Sequence, residues 1–145
     1  MSITLFDPSW IIAQLKISAP TLAHVAGAAG LAQAANALKQ IPAAYVIPNS
    51  ERSGGSRTGT MVVSQQNTVR FAVVMATKNL RDARGDQAQA DLLSLREEIM
   101  TALHGWQPDA EFDPIEYGGG RLMQLTDQVL WWQDEFLTAH LIRSM

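Results

Sequence analysis

The chain contains no cysteine. Without thiols there is no disulfide framework and no thiolate metal site, and nothing ties the protein to an oxidising compartment. Charge is scarce as well: 17% of residues are Asp, Glu, Lys or Arg, with a net balance of -3. Phosphate backbones require a clustered basic surface, and the cations here are scattered, so sequence-specific nucleic-acid binding is not expected. No apolar run approaches the ~18 residues of a membrane span. The opening MSITLFDPSWII carries no basic segment ahead of an apolar one, so the chain reads as neither secreted nor membrane-spanning.

What is present suits one globular domain over residues 1–145, because a single core grows efficiently to about 150–250 residues before a chain divides. The apolar fraction of 47% is ample for that core. Arginine outnumbers lysine eight to three, a bias that fits the lysine-poor centres of oligomer interfaces. A small, weakly charged monomer fits the same composition.

Asp7-Pro8 reads as the start of a helix over residues 8–16, with Trp10, Ile11 and Leu15 on its apolar side. Residues 21–25 suit a short strand, and the alanine-rich 31–39 a helix ended by Pro42. AAYVI, residues 43–47, is a compact apolar run between prolines and predicts a buried strand. Residues 49–60, NSERSGGSRTGT, hold no apolar side chain and read as a long flexible loop. Residues 61–77 then read as a hairpin turning at Gln65-Gln66-Asn67, with Val69, Phe71, Val73 and Met75 on the core face.

Asp86 and Gln89 have capping-box spacing for a helix reaching Leu103. Its apolar stripe is Leu92, Leu95, Ile99, Ala102 and Leu103, with Arg96, Glu97 and Glu98 mostly turned away, and Gly105 supplies the stop. Residues 115–125 and 129–143 read as two strands around Thr126-Asp127-Gln128, although Leu130, Leu137 and Leu141 would also suit a helix in the second; its paired tryptophans favour the strand. The order helix, strand, helix, strand, hairpin, helix, hairpin predicts an α/β (α+β) sandwich: one mixed, mainly antiparallel sheet with helices packed on a face.

No catalytic set emerges from these elements. His24, His104 and His140 lack partners at metal-ligand spacing. Asp109, Glu111, Asp113 and Glu116 gather around Pro114 without the grammar of a calcium loop, so a solvated acidic loop is expected. Gly118-Gly119-Gly120 lacks phosphate-loop spacing and no helix follows it; a bulge or a close backbone approach is expected instead. Asp134 and Glu135 must point to opposite faces of their strand, so adjacency gives no acid/base pair. One is expected in solvent and the other on an arginine of the sheet or of a neighbour. Trp131 and Trp132 likewise put one ring on each face, one for the core and one for a neighbour, with a second layer inside the monomer as the competing reading. No catalytic, cofactor or metal residue is assigned.

Several stretches carry a family resemblance: PAAYVIP, FAVVMATKNLRDARG, LREEIMTALHGWQP, DPIEYGGGRLMQL and VLWWQDEFLTAH. Together, from Pro42 to the C-terminus, they resemble the tail terminator proteins of long-tailed bacteriophages. The resemblance implies a virion structural protein without enzymatic activity, assembled in the host cytoplasm as a homohexameric ring. Such a ring caps the head-proximal end of the tail tube, stops its polymerisation and meets the neck or head connector. The implied partners are further copies of the chain, the tube protein and a neck or head-completion protein, with DNA at most passing through the lumen. Another head-tail joining protein is the alternative, and a small metal-dependent enzyme using the acidic loop is a third class. On this reading Glu51, Arg52 and Arg57 in the polar loop, Arg81, Asp82 and Arg84 after the long strand, and Trp131 and Trp132 are the candidate interface residues.

Overall fold

Asp7 opens the first helix by accepting the Ser9 N–H at 2.9 Å, and Pro8 has no N–H to leave unsatisfied. The computed structural model describes residues 3–34, 40–56, 58–78, 86–126 and 128–144. Along them run α1 (Pro8–Ser18), β1 (His24–Ala26), α2 (Ala28–Ala34), β2 (Ala43–Ser53), β3 (Ser64–Lys78), α3 (Asp86–Leu103), β4 (Glu116–Leu125) and β5 (Val129–Arg143). The strands form one sheet in the order β1-β2-β3-β5-β4, parallel between β1 and β2 and antiparallel elsewhere. This is the α+β sandwich expected from the sequence.

The period-two pattern of β3 sets the main core. Phe71, Val73 and Met75 face α1 and α3 together with Val46 and Phe136, and the helices contribute Ile11, Leu15, Leu95, Ile99 and Leu103. The opposite face carries a smaller cluster in which Ala34 of α2 meets Ala43, Tyr45 and Val74, with Leu31 and Trp131 packed against it. Phe71 to Thr77 are therefore buried without alternation, as expected of a central strand with both faces covered. Gly105 adopts a φ of 79° after α3, and the Trp106 N–H returns to the Leu103 carbonyl at 3.0 Å. That turns the chain back toward the sheet.

Two expectations need correction. Gln65, Gln66 and Asn67 form no turn; they lie inside β3, opposite Ile142, Leu141 and His140 of β5. Nor do residues 49–53 belong to a loop, because β2 continues through a register shift at Pro48/Ser50 and pairs Ser50 to Ser53 with Arg70 to Asn67. The polar stretch forms a strand because main-chain bonding to β3, rather than apolar burial, holds it. The bulge falls beside Pro48, which cannot donate to the ladder. Within the predicted helix over 31–39 lies the end of α2, which starts earlier, at Ala28, while residues 35–39 lie outside the described residues.

The result is a three-stranded arm, formed by the ends of β2 and β5 and the start of β3, that continues from the helix-covered half of the sheet. Among the described residues no helix is long and apolar enough to cross a membrane. Ile99 is fully buried in the main core. Ile99→Ala is expected to cost about 2–5 kcal/mol, read as a lower urea midpoint with unchanged m-value.

Candidate interaction surface

The sheet edge that carries β4 is organised by one buried carboxylate. Asp134 lies on the helix-facing side of β5 with no exposed surface. It accepts from Arg96 Nε (3.0 Å, to Oδ2), Arg96 Nη2 (3.0 Å), Tyr117 Oη (3.1 Å) and Trp132 Nε1 (2.9 Å). Arg96 comes from α3, its guanidinium carbon 4.6 Å from the Trp132 ring centroid. The hydrogen bond to Asp134 holds that guanidinium charged, raising its pKa above the ordinary value. Burial and the Asp134 charge push the Tyr117 hydroxyl up, so it remains a donor. Arg96, expected to turn away from the apolar stripe, instead reaches across to the sheet; only a partner on β5 could have revealed that. Glu135 is bound as well, to Arg70 Nη1 at 2.8 Å, so both acidic neighbours take arginines within the chain.

The triple glycine follows from this network. A Cβ on Gly120 would overlap Asp134 Oδ1 and come within 2.8 Å of the Tyr117 hydroxyl. Gly119 has a φ of 129° at the register shift between Tyr117 and Gly119, a conformation that side chains resist. The bulge and close approach expected from the sequence are both present, although what approaches Gly120 is a side chain.

On the arm, Asn67 links Glu51 to His140. Ser53 Oγ donates to Asn67 Oδ1 at 2.8 Å, and Asn67 Nδ2 reaches Glu51 Oε1 at 2.8 Å and His140 Nε2 at 3.0 Å. An amide nitrogen can only donate, so the histidine accepts at Nε2 and is neutral. The ring stacks on Phe112 at 4.1 Å, and its buried Nδ1 has no hydrogen-bond partner among the described residues. Sequence spacing could not bring Asn67 and His140 together, since their pairing depends on the β3/β5 register.

The candidate interface residues do not converge on one point. Glu51 and Arg52 lie on the arm, Glu51 tied to Asn67 and Arg52 in a groove of about 890 Å³ that Ser50, Thr68, Arg70 and Leu141 also line. Trp132 packs against the main core, whereas Trp131 stacks on Tyr45 with centroids 6.3 Å apart, so each ring is partly covered within the chain. Arg57, Arg81, Asp82 and Arg84 lie outside the described residues. β4 is the outer strand, exposed for nearly its whole length, with Leu122, Met123 and Leu125 about half exposed near the β4–β5 turn. Among the described residues no three acidic or histidine side chains converge as metal ligands. The surface offers grooves, an edge and charges, which are the materials of association.

A family model described as phage tail terminator protein matches residues 1–144. The chain belongs to that family. Its role is therefore structural, in assembly of the phage tail, and it is a component of the virion that interacts with other tail proteins. No curated protein matches the chain.

Two predictions follow from the buried groups. Arg96→Met leaves Asp134 buried without its cation and is expected to cost about 3 kcal/mol, less if Asp134→Leu is added; chemical unfolding of the four-member cycle measures it. The second concerns pH. Burial holds the His140 pKa below its ordinary 6.5, with the Glu51 and Glu111 charges pulling the other way. As pH falls below about 6.5 the unfolded chain binds a proton that the folded one refuses, so stability present above that pH declines toward the lowered folded value. His140→Gln is expected to flatten this slope in urea titrations between roughly pH 5 and 7, and an unaltered slope would assign it to other groups.

Proposed function

We propose that this protein closes the head-proximal end of the tail tube as a homohexameric ring, stops tube polymerisation there and provides the surface on which the neck docks. The observation that carries this reading is the family match over essentially the whole chain. The shape of the subunit supports it. A tube grows because each ring exposes an unsatisfied heterologous interface, and a cap must satisfy that interface without recreating it. The subunit has a different surface at each extremity of its sheet: the exposed apolar tip of Leu122, Met123 and Leu125, and the polar arm carrying Glu51 and Arg52.

In this reading the arm contacts the tube or the adjoining subunit, Arg57 extends the same contact, and Arg81, Asp82 and Arg84 stand at a subunit boundary. Trp131 and Trp132 stiffen β5, the strand paired with the one that carries the tip. The protein acts by contact, with no catalysis, metal or cofactor and no base-specific hold on DNA, and its place is the head-proximal end of the tail.

The test is incubation of the purified protein with isolated tail tubes, followed by electron microscopy and a challenge with fresh tube subunits. A ring on one end, the end that joins heads, and tubes that no longer lengthen are the expected results. Tubes that elongate as fast as untreated ones would show that the protein is no terminator, even if it binds elsewhere on the tail.

A further inference from the structure

The strands sort their charge by face. Arg52 of β2, Arg70 and Lys78 of β3, Arg121 of β4 and Arg143 of β5 occupy register positions on the face away from α1 and α3, so every lysine and arginine of the described strands shares one side. Glu116 and Glu135 are the acidic strand residues on that side, and Glu135 is bound to Arg70. Arg52 is exposed, makes no hydrogen bond or ion pair among the described residues, and lines the groove of about 890 Å³ with Ser50 and Thr68.

Beside β5 the edge of the same arm is acidic. Glu51 shares the helix-facing side of Val69, and the 109–113 turn is fastened to the β5 edge by the Phe112–His140 bridge and by the Asp113 N–H to the Ala139 carbonyl at 2.8 Å. Glu111 and Asp113 are exposed, and their carboxylates make no hydrogen bond or ion pair among the described residues, although the Glu111 charge reaches His140. His140, which holds this turn, is followed by Leu141, which lines the groove. The basic groove and the acidic turn thus lie on one arm, the groove on the face away from the helices and the turn at the β5 edge.

A subunit with a basic groove and an acidic edge repels a like surface and attracts the oppositely charged one of its own copy. Contact of one side with the other is heterologous, and it closes into a ring when the rotation between copies divides a full turn. We propose that the arm groove receives the acidic 109–113 turn of a second copy, with Arg52 meeting the second copy's Glu111 and Asp113 and the groove hydroxyls donating to the same carboxylates. The inference rests on the ring proposed above and names its seam.

The test compares Arg52→Glu, Glu111→Arg with Asp113→Arg, and all three changes together. Each is followed by sedimentation velocity and by electron microscopy on tail tubes, with thermal melting as a check of folding. Each reversal alone is expected to weaken assembly about tenfold or more, a shift in the range of like-charge contacts, and the combined variant to recover it. Because the chain has no cysteine, mixing Arg52→Cys with Asp113→Cys under copper-phenanthroline oxidation gives a second readout, a disulfide between copies. Single reversals that assemble at wild-type strength, a combined variant no better than its parents, or assembled rings that give no disulfide overturn the seam and leave the ring standing. Wild-type protein that never assembles, alone or on tubes, overturns the ring itself. Retention of duplex DNA that Arg52→Glu abolishes, with assembly unchanged, overturns the seam in favour of a nucleic-acid face.

Discussion

The edge of this fold depends on the carboxylate of Asp134. Removing a charged carboxylate from water costs several kcal/mol, and four donors from three directions offset that cost: Arg96 from α3, Tyr117 from β4 and Trp132 from its own strand. Each donor is thereby fixed in place. Arg96 ties the long helix to the sheet, Tyr117 sets the start of β4 against β5, and Gly120 is the residue that lets the outer strand approach closely enough. A hydrophobic core alone would tolerate small slides of α3 across the sheet, since apolar contact has no direction. The bidentate arginine removes that freedom.

With the helices anchored over one half of the sheet, the other half receives only the start of α1 as cover. The arm keeps apolar residues on its helix-facing side as far as Val69 and then changes to Asn67 and His140. Those two groups are buried because Phe112, Phe6 and Trp10 form an aromatic cover over this region. An amide and a neutral imidazole can satisfy one another where a lysine or a second carboxylate would have to remain charged. The arm is therefore ordered through main-chain pairing and one polar network rather than through a second core.

This division explains which parts of the fold were legible. The helix to Leu103 and the strand through Val69 to Met75 are where the apolar periodicity put them, and the strand from Val129 to Arg143 is where the paired tryptophans and the family resemblance put it. The segment after Pro48 has no such signal, because Ser50 to Ser53 pair through backbone atoms that every residue possesses. Its serines and charges resemble a loop, and Gln65-Gln66-Asn67 resemble a turn, for that reason. The contacts of Asp134 were half legible: strand alternation separated it from Glu135, but Arg96 could be identified only once α3 had been laid across β5. The partners of Arg81, Asp82 and Arg84 rest on no comparable pattern.

The outer strand bears on how such a subunit associates. A ten-residue β4 with one free edge is a template for indefinite strand addition, which the proposed role of ending a polymer could not tolerate. The edge is blunted instead. Register shifts at Tyr117/Gly119 and Leu122/Gln124 break its ladder, Gly119 departs from strand geometry, and Glu116 and Arg121 place opposite charges along it. Edge-to-edge pairing needs a long regular row of donors and acceptors, and two bulges in ten residues leave none. In the proposed ring, association is thus steered toward faces and tips, where charge and shape can specify a fixed rotation between copies, and a fixed rotation is what separates a closed ring from a growing filament.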